Sequence, residues 1–359
     1  MPSIILVIII LVFFKTFAQG EDSIEVTKSN FEFFPIISYD SNTGLGYGLK
    51  VFLLGYLSEE ESFDLILFNS TKGERWYRFK FSTPESRIRQ GKKYDYAVDF
   101  ILDYDKWIHY SFFGLGNNSL FEDEEVFTKT SFSIYGLVSK GFTNYFSVET
   151  GIKYGTILNS NYPVNGLFHS LNKTSRGRAK LLSILINLSY DTRNDFYNPA
   201  NGILLQTEYE ISPEFKFTNT QFNRISVSAS YFSSLIIENL ILALRLNAQK
   251  ISGSDIPVQC LLPLGGNNSL RGFTQDRFID NGVLLFNTEL RFPIYRRLGG
   301  IAGFDAGKVW SSLQKINLNN WAANPAIGLR FYMDNFVVRA DVGFGPETTG
   351  LYFNFGHIF

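Results

Sequence analysis

The sequence predicts an all-β fold, a transmembrane antiparallel β-barrel of about 16 strands with one long loop folded inward. Three observations predict it. Apolar and polar residues alternate with a period of two along much of the chain, the pattern of strands rather than helices. The apolar set is rich in aromatics, with 36 Phe and 19 Tyr in 359 residues, which suits the interfacial girdles of a membrane barrel. No unbroken apolar run reaches the roughly 20 residues that a spanning helix requires.

The longest such run, Ile4 to Phe14, lies at the N-terminus and reads as part of a secretory signal peptide over residues 1–18. Thr16 and Ala18 are small residues that place cleavage before Gln19. No Lys or Arg precedes the run, so the start departs from the usual basic pattern. Residues 19–31 form a short segment and the barrel takes 32–359, without a linker or second domain. Lys and Arg number 33 against 34 Asp and Glu, a balance that gives no support for a nucleic-acid partner. The lone Cys260 excludes an intrachain disulfide framework and a cysteine zinc cluster. His109, His169 and His357 are scattered without ligand spacing, so neither metal nor other cofactor is expected.

The strands follow in order. Between residues 56 and 114 the boundaries are ambiguous and one extra strand is conceivable. Leu182, Ile184, Ile186, Leu188 and Tyr190 alternate with Ser183, Leu185, Asn187 and Ser189. Ile225, Val227, Ala229 and Tyr231 alternate with three serines, and the leucines from Leu240 to Leu246 with Ile241, Ala243 and Arg245. Val338, Ala340, Val342 and Phe344 oppose Arg339, Asp341 and Gly343. One face is greasy and the other is Ser, Asn, Gly and charge, as in a wet lumen. Lipid cannot satisfy an open sheet edge, so the sheet must close. Short connections near 140–143, 235–238 and 333–335 contrast with long ones at 157–177, 250–281 and 311–324, the asymmetry of such barrels.

Alternation also orients the later strands. Asn287, Glu289 and Arg291 face inward, as do Gly303, Asp305 and Gly307, whose glycines leave room on both sides of Asp305. The longest loop carries Leu264-Gly-Gly-Asn-Asn-Ser-Leu-Arg-Gly-Phe273. Folded inward, it can set Arg271 against Glu289 and Asp305, where a planar guanidinium suits a carboxylate pair.

Ser269 to Phe273 resembles the loop motif of the BamA/TamA-like outer-membrane assembly family, the bacterial surface antigen barrels. Four more segments are similar to that family in order along the chain. They are Tyr39 to Gly46, Tyr190 to Gly202 with Asp191, Arg193 and Pro199, Thr288 to Pro293, and Gly303 to Trp310. The resemblance implies a bacterial outer-membrane barrel that assembles, inserts or translocates proteins and is not an enzyme. It implies a loop-locking role for Arg271, Gly272, Phe273, Asp305 and Glu289. It also implies periplasmic POTRA domains, for which the chain has no room, so it reads as a member lacking them.

The chain ends Leu351-Tyr-Phe-Asn-Phe-Gly-His-Ile-Phe359, and Tyr352, Phe355 and Phe359 resemble the aromatic C-terminal signal of such barrels. Leu351, Phe353, Phe355 and Phe359 are expected on the lipid face, with His357 beside them or at the interface. A seam is expected between residues near Phe33 to Tyr39 and those near Tyr352 to Ile358. The expected partners are outer-membrane lipid, lipopolysaccharide and a periplasmic or secreted protein. A structural or pore-forming barrel is the alternative function. A hydrolase is remote, because His169 and Ser170 are sequence neighbours and so poorly placed to face each other.

Overall fold

A computed structural model describes residues 30–40, 44–58, 60–235, 239–312, 319–333 and 337–359. The signal peptide and almost all of the N-terminal segment lie outside the described residues. Sixteen strands form one sheet in chain order, every neighbouring pair antiparallel. The first half contains β1 (Asn30–Asp40), β2 (Gly44–Leu54), β3 (Ser62–Ser70), β4 (Arg75–Thr83), β5 (Tyr94–Phe112), β6 (Glu125–Gly141), β7 (Phe146–Ser160) and β8 (Arg178–Asp191). Then come β9 (Gly202–Ser212), β10 (Phe222–Ser234) and β11 (Ile241–Ser252). Two three-residue strands, β12 (Leu262–Leu264) and β13 (Phe278–Asp280), pair with each other inside the long loop. The wall resumes with β14 (Gly282–Tyr295), β15 (Leu298–Trp310), β16 (Ala322–Tyr332), β17 (Val337–Phe344) and β18 (Thr349–Phe355).

β1 lies beside β18, so the two ends of the sheet meet and the sheet forms a barrel. The ambiguous stretch at 56–114 holds β3, β4 and all of β5, and no further strand among the described residues. Its reading was obscured by the 19-residue length of β5 and by a one-turn helix, α1 (Ser86–Arg89), in the connection before it. Among the described residues no helix is long and apolar enough to cross a membrane; the strands do the crossing.

The period-two pattern sets the orientation of each wall. On β8, Ile184, Ile186, Leu188 and Tyr190 are exposed to the outside, whereas Ser183 and Leu185 are buried inside. The start of β1 and the end of β18 lie at one end of the barrel, the terminal end. The shortest connection, 296–297, lies there and the longest, 113–124, 161–177 and 253–281, at the opposite, loop end, although 84–93 and 192–201 at the terminal end run to ten residues and 71–74 and 345–348 at the loop end to only four.

The lumen corrects one expectation, because it is not polar throughout. Toward the loop end, Leu262, Leu264, Leu270, Phe273 and Phe278 of the long loop pack on inward Leu181, Phe222, Ile251, Val283, Leu285 and Val309. Burying a large apolar side chain contributes about 1.5–3 kcal/mol, so this dry contact also stabilises the docked loop. Cys260 sits in the same core, and burial pushes its thiol up to about 11. It is therefore protonated and inert at neutral pH. Toward the terminal end the lumen is wet, with a cavity of about 510 Å³ walled by Gln206, Glu208, Ser226, Ser228 and Asn247.

Candidate functional site

The long loop reaches the lumen wall through a compact tip. Gly265 (φ +130°) and Gly266 (φ +89°) take a backbone conformation that side chains resist. The tip is closed by Gly266 N–H donating to Leu270 O (3.0 Å) and Gly265 N–H to Ser269 Oγ (2.8 Å). Arg271 follows and points at β14, β15 and β17.

Its guanidinium makes a two-point contact with Asp305, Nε to Oδ2 and Nη2 to Oδ1, each at 2.9 Å. Nη1 donates to Glu289 Oε1 at 2.8 Å and to Asp341 Oδ2 at 3.3 Å. The backbone N–H of Arg271 adds a bond to Asp305 at 3.2 Å. Arg271, Glu289, Asp305 and Asp341 are each 0% exposed. Charges this deep are tolerated only when paired and hydrogen-bonded. Asp305 meets that requirement, since Asn287 Nδ2 (2.7 Å) and Asn324 Nδ2 (3.1 Å) also donate to it.

The carboxylates are shared with three wall arginines. Arg291 Nε donates to Glu289 at 3.0 Å, and Arg330 Nη2 donates to Glu289 at 2.9 Å while its Nη1 pairs with Asp341. Arg339 Nη1 lies 3.4 Å from Asp341, and its Nη2 donates to Asn267 Oδ1 (2.8 Å) and Asn268 Oδ1 (2.9 Å) of the tip. Arg245 Nη2 donates to Asn268 O at 2.7 Å, and Asn287 Nδ2 to Ser269 O at 2.7 Å. The wall thus grips the tip's backbone as well as its arginine.

Glycines make the approach possible. A Cβ on Gly303 would sit 2.7 Å from Arg271 Nη2, and one on Gly307 would sit 3.0 Å from Leu264 of the loop. On β17 and β18, a Cβ on Gly343 or Gly350 would lie 2.2 Å from the Arg271 backbone. Gly272 would in turn meet Gly345 N at 2.5 Å. Phe273 packs in the dry core, its ring centroid 5.5 Å from that of Phe278, and its carbonyl accepts from Tyr352 OH at 3.2 Å.

A second arginine fixes the loop at the outer mouth. Arg277, 1% exposed, donates to both carboxylate oxygens of Glu347 (2.6 and 2.7 Å) and to Ser119 Oγ and O (both 2.8 Å). Phe113 and Phe278 stack near it, 4.5 and 4.7 Å from ring centre to guanidinium carbon. It joins the long loop to the 113–124 connection and to the β17–β18 turn.

The remaining expected residues lie elsewhere. Asp191 and Arg193 pair with each other at the terminal end (Nη2 to Oδ2, 2.8 Å), in a turn where Pro199 is buried. A Cβ on Gly202 (φ +117°) would meet Thr192 O at 2.4 Å, so the chain turns there only with glycine. Gln90, next to α1, donates to Asp191 Oδ2 at 3.3 Å and thereby ties two connections together across that end.

At the C-terminus the expectation is corrected. Leu351 and Phe353 face outward, but Tyr352 faces the loop. The side chain of Phe355 lies outside the described residues. Phe359 is not on the lipid face, because the chain turns inward at Gly356 (φ +81°) and carries the Phe359 ring to within 6.2 Å of buried Phe232. His357 turns inward too; its Nε2 lies 3.0 Å from Asn198 Oδ1.

Sequence reasoning missed Asp341, Arg330, Arg339, Arg245 and Asn324 as members of the cluster. Their signal is strand parity, since each falls on an inward position of its strand. Parity names a face and not a partner, and so could not show which of them gather around Arg271. Among the described residues no three His, Cys, Asp or Glu side chains gather as metal ligands.

Comparison with known proteins gives three findings. Residues 64–359 match the Omp85 superfamily domain. No curated protein matches the chain. Solved structures do match, among them BamA from Haemophilus ducreyi lacking POTRA domains 1–3 (TM-score 0.65, 14% identity, 91% of this chain and 70% of that one). CdiB from Escherichia coli matches with TM-score 0.65 at 14% identity over 90% of this chain, and CdiB from Acinetobacter baumannii with 0.59 at 14% over 92%. The chain spans about three fifths of each CdiB chain, 61% and 60%.

Proposed function

The chain belongs to the Omp85 superfamily of bacterial outer-membrane β-barrels, and from that premise we propose that it assembles, inserts or translocates proteins at the outer membrane. The reading is a non-enzymatic one. Its partners are outer-membrane lipid around the belt, lipopolysaccharide in the outer leaflet, and a periplasmic or secreted client protein. Arg271, with Asp305 and Glu289, locks the long loop inside and keeps the lumen shut toward the loop end.

The observation that carries the proposal is the pairing of a filled lumen with a short seam. The loop end is packed with apolar side chains and sealed by two buried arginines, so the route for a client runs along the wall. β18 has seven residues, which limits the ladder it can share with β1. Pro35 inside β1 contributes no N–H, and prolines in sheets belong to edge strands. A short contact of this kind separates at lower cost than the long ladders elsewhere in the wall. The filled lumen also favours this reading over a permanently open pore.

The test is a folding assay in lipid vesicles. Vesicles containing the protein should fold an added, urea-unfolded outer-membrane barrel several-fold faster than empty vesicles, read by heat-modifiable gel mobility. A photo-crosslinker at Phe33 or Phe353 should capture that client. Equal folding rates together with no capture at either position would remove the proposal.

A further inference from the structure

The outer wall carries two facing cations where its greasy belt ends. Toward the loop end, the outward positions run Phe81, Phe79 and Tyr77 on β4, paired with Phe100, Leu102 and Tyr104 on β5. Tyr77 and Tyr104 stack with ring centroids 5.7 Å apart, and Tyr77 OH donates to Asn69 Oδ1 at 2.7 Å. Asn69 is the partner of Arg75 in the β3–β4 pairing, so this hydroxyl points toward the loop end. Rings with an apolar body and a polar tip mark the depth at which hydrocarbon gives way to headgroups.

One outward step beyond the tyrosines stand Arg75 and Lys106, directly opposite each other across the β4–β5 pair. Two residues along a strand span about 7 Å, which puts both cations just past the rings. Arg75 is exposed and Lys106 is half-buried. Like charges opposed in this way destabilise a strand pair, and neither has an ion-pair partner among the described residues. The inward cations of β4 do have partners, with Arg78 3.8 Å from Asp103 and Lys80 3.6 Å from Asp99. Outward Lys140, at the terminal end, has Asp95 at 3.8 Å. The loop-end pair alone among these is left with a repulsion that an anion between the two would relieve. Because the belt borders the pair, the anion that fits both surfaces is one that carries acyl chains.

We infer that Arg75 and Lys106 together bind a phosphate of an outer-leaflet lipid, the chemistry lipopolysaccharide presents, with its acyl chains lying along Leu67, Tyr77 and Tyr104. The guanidinium offers parallel donors to two phosphate oxygens, and the ammonium adds a compact charge. Placing the loop end in the outer leaflet rests on the proposed function; the facing cations do not.

The experiment uses the full chain in detergent micelles and lipid A bearing both phosphates, with fully dephosphorylated lipid A as comparison. Native mass spectrometry reads the affinity of the tightest-bound lipid. Each cation removed should weaken binding about 5-fold, so Arg75→Gln combined with Lys106→Gln should weaken it roughly 25-fold. Lys140→Gln changes the same outer surface at the other end and should leave binding as in wild type. A millimolar excess of inorganic phosphate should not displace the lipid, since the free ion has no chains to lay on the belt. Wild-type affinity in the double variant, an equal loss in Lys140→Gln, equal binding of the two lipids, or displacement by inorganic phosphate would each overturn the inference.

Should the double variant fail to fold, Arg75→Glu supplies a second measurement. It turns the repelling pair into an attracting one, so the barrel should keep its heat-modifiable mobility while lipid A binding falls. Wild-type binding in Arg75→Glu would overturn the inference. A protein that retains lipid A but speeds no client folding keeps this site and loses the assembly role. One that speeds client folding but retains no phosphorylated lipid loses the site alone.

Discussion

Arg271→Ala is expected to lower the unfolding free energy of the barrel by ~3–5 kcal/mol, the cost of stranding buried charges that have lost their partner. Asp305 loses two donors at once, Nε and Nη2 at 2.9 Å each, and keeps the backbone N–H of residue 271 and the amides of Asn287 and Asn324. Glu289 and Asp341 keep Arg330 but lose the cation between them. Lysine should not rescue the loss, because a point charge cannot span both oxygens of Asp305 and reach Glu289 as well. Guanidine unfolding followed by tryptophan fluorescence gives the number, and Asp305→Ala completes a double-mutant cycle. The double variant should cost less than the two single ones added, with a coupling of about 0.5–3 kcal/mol. A wild-type midpoint for Arg271→Ala would mean that the apolar contacts hold the loop unaided.

Gly343→Val is expected to expel the loop tip while sparing the wall. The new Cβ would sit 2.2 Å from the Arg271 carbonyl carbon, backbone that has no way to yield except by withdrawing the whole tip. Valine itself is well suited to a strand, so β17 should still pair with β16 and β18. Overpacking of this kind costs about 1–3 kcal/mol where neighbours can adjust, and here the relief is undocking of the loop. Limited proteolysis of the reconstituted protein should cut within 253–281 at least several-fold faster than in wild type. Gly136→Val is the control, since a Cβ at Gly136 meets nothing within 4 Å. Similar cleavage in both variants would dissociate loop docking from the glycine contact.

Much of this arrangement can be read in the chain without coordinates, and the reason is the two-residue repeat of a strand. That repeat alone puts Glu289, Arg291 and Asp305 on the inner face and Phe286, Phe304 and Leu290 on the outer one, as the barrel has them. The pairing of Asn287 with Asp305 and of Glu289 with Gly303 does not follow from the two-residue connection at 296–297, which would set Asn287 against Ala306; an irregularity between Pro293 and Tyr295 shifts the register by one residue and brings the inward positions opposite each other. Asp341 and Arg330 were out of reach because they come to Arg271 from β17 and β16, and inward parity carries no distance. The apolar packing of Leu262, Leu264 and Leu270 was hidden for a different reason: loops have no periodic pattern that separates a core-facing leucine from any other. At the C-terminus parity was carried one residue too far. Gly356 breaks the alternation by turning left-handed, and His357 and Phe359 beyond it turn inward.

The central claim is that the lumen is shut by its own loop, and ion conductance tests it most directly. Wild-type protein in a planar bilayer is expected to stay near baseline with brief openings, while Gly343→Val shows long-lived steps of larger conductance. A steady, porin-like current through the wild-type protein would contradict the claim.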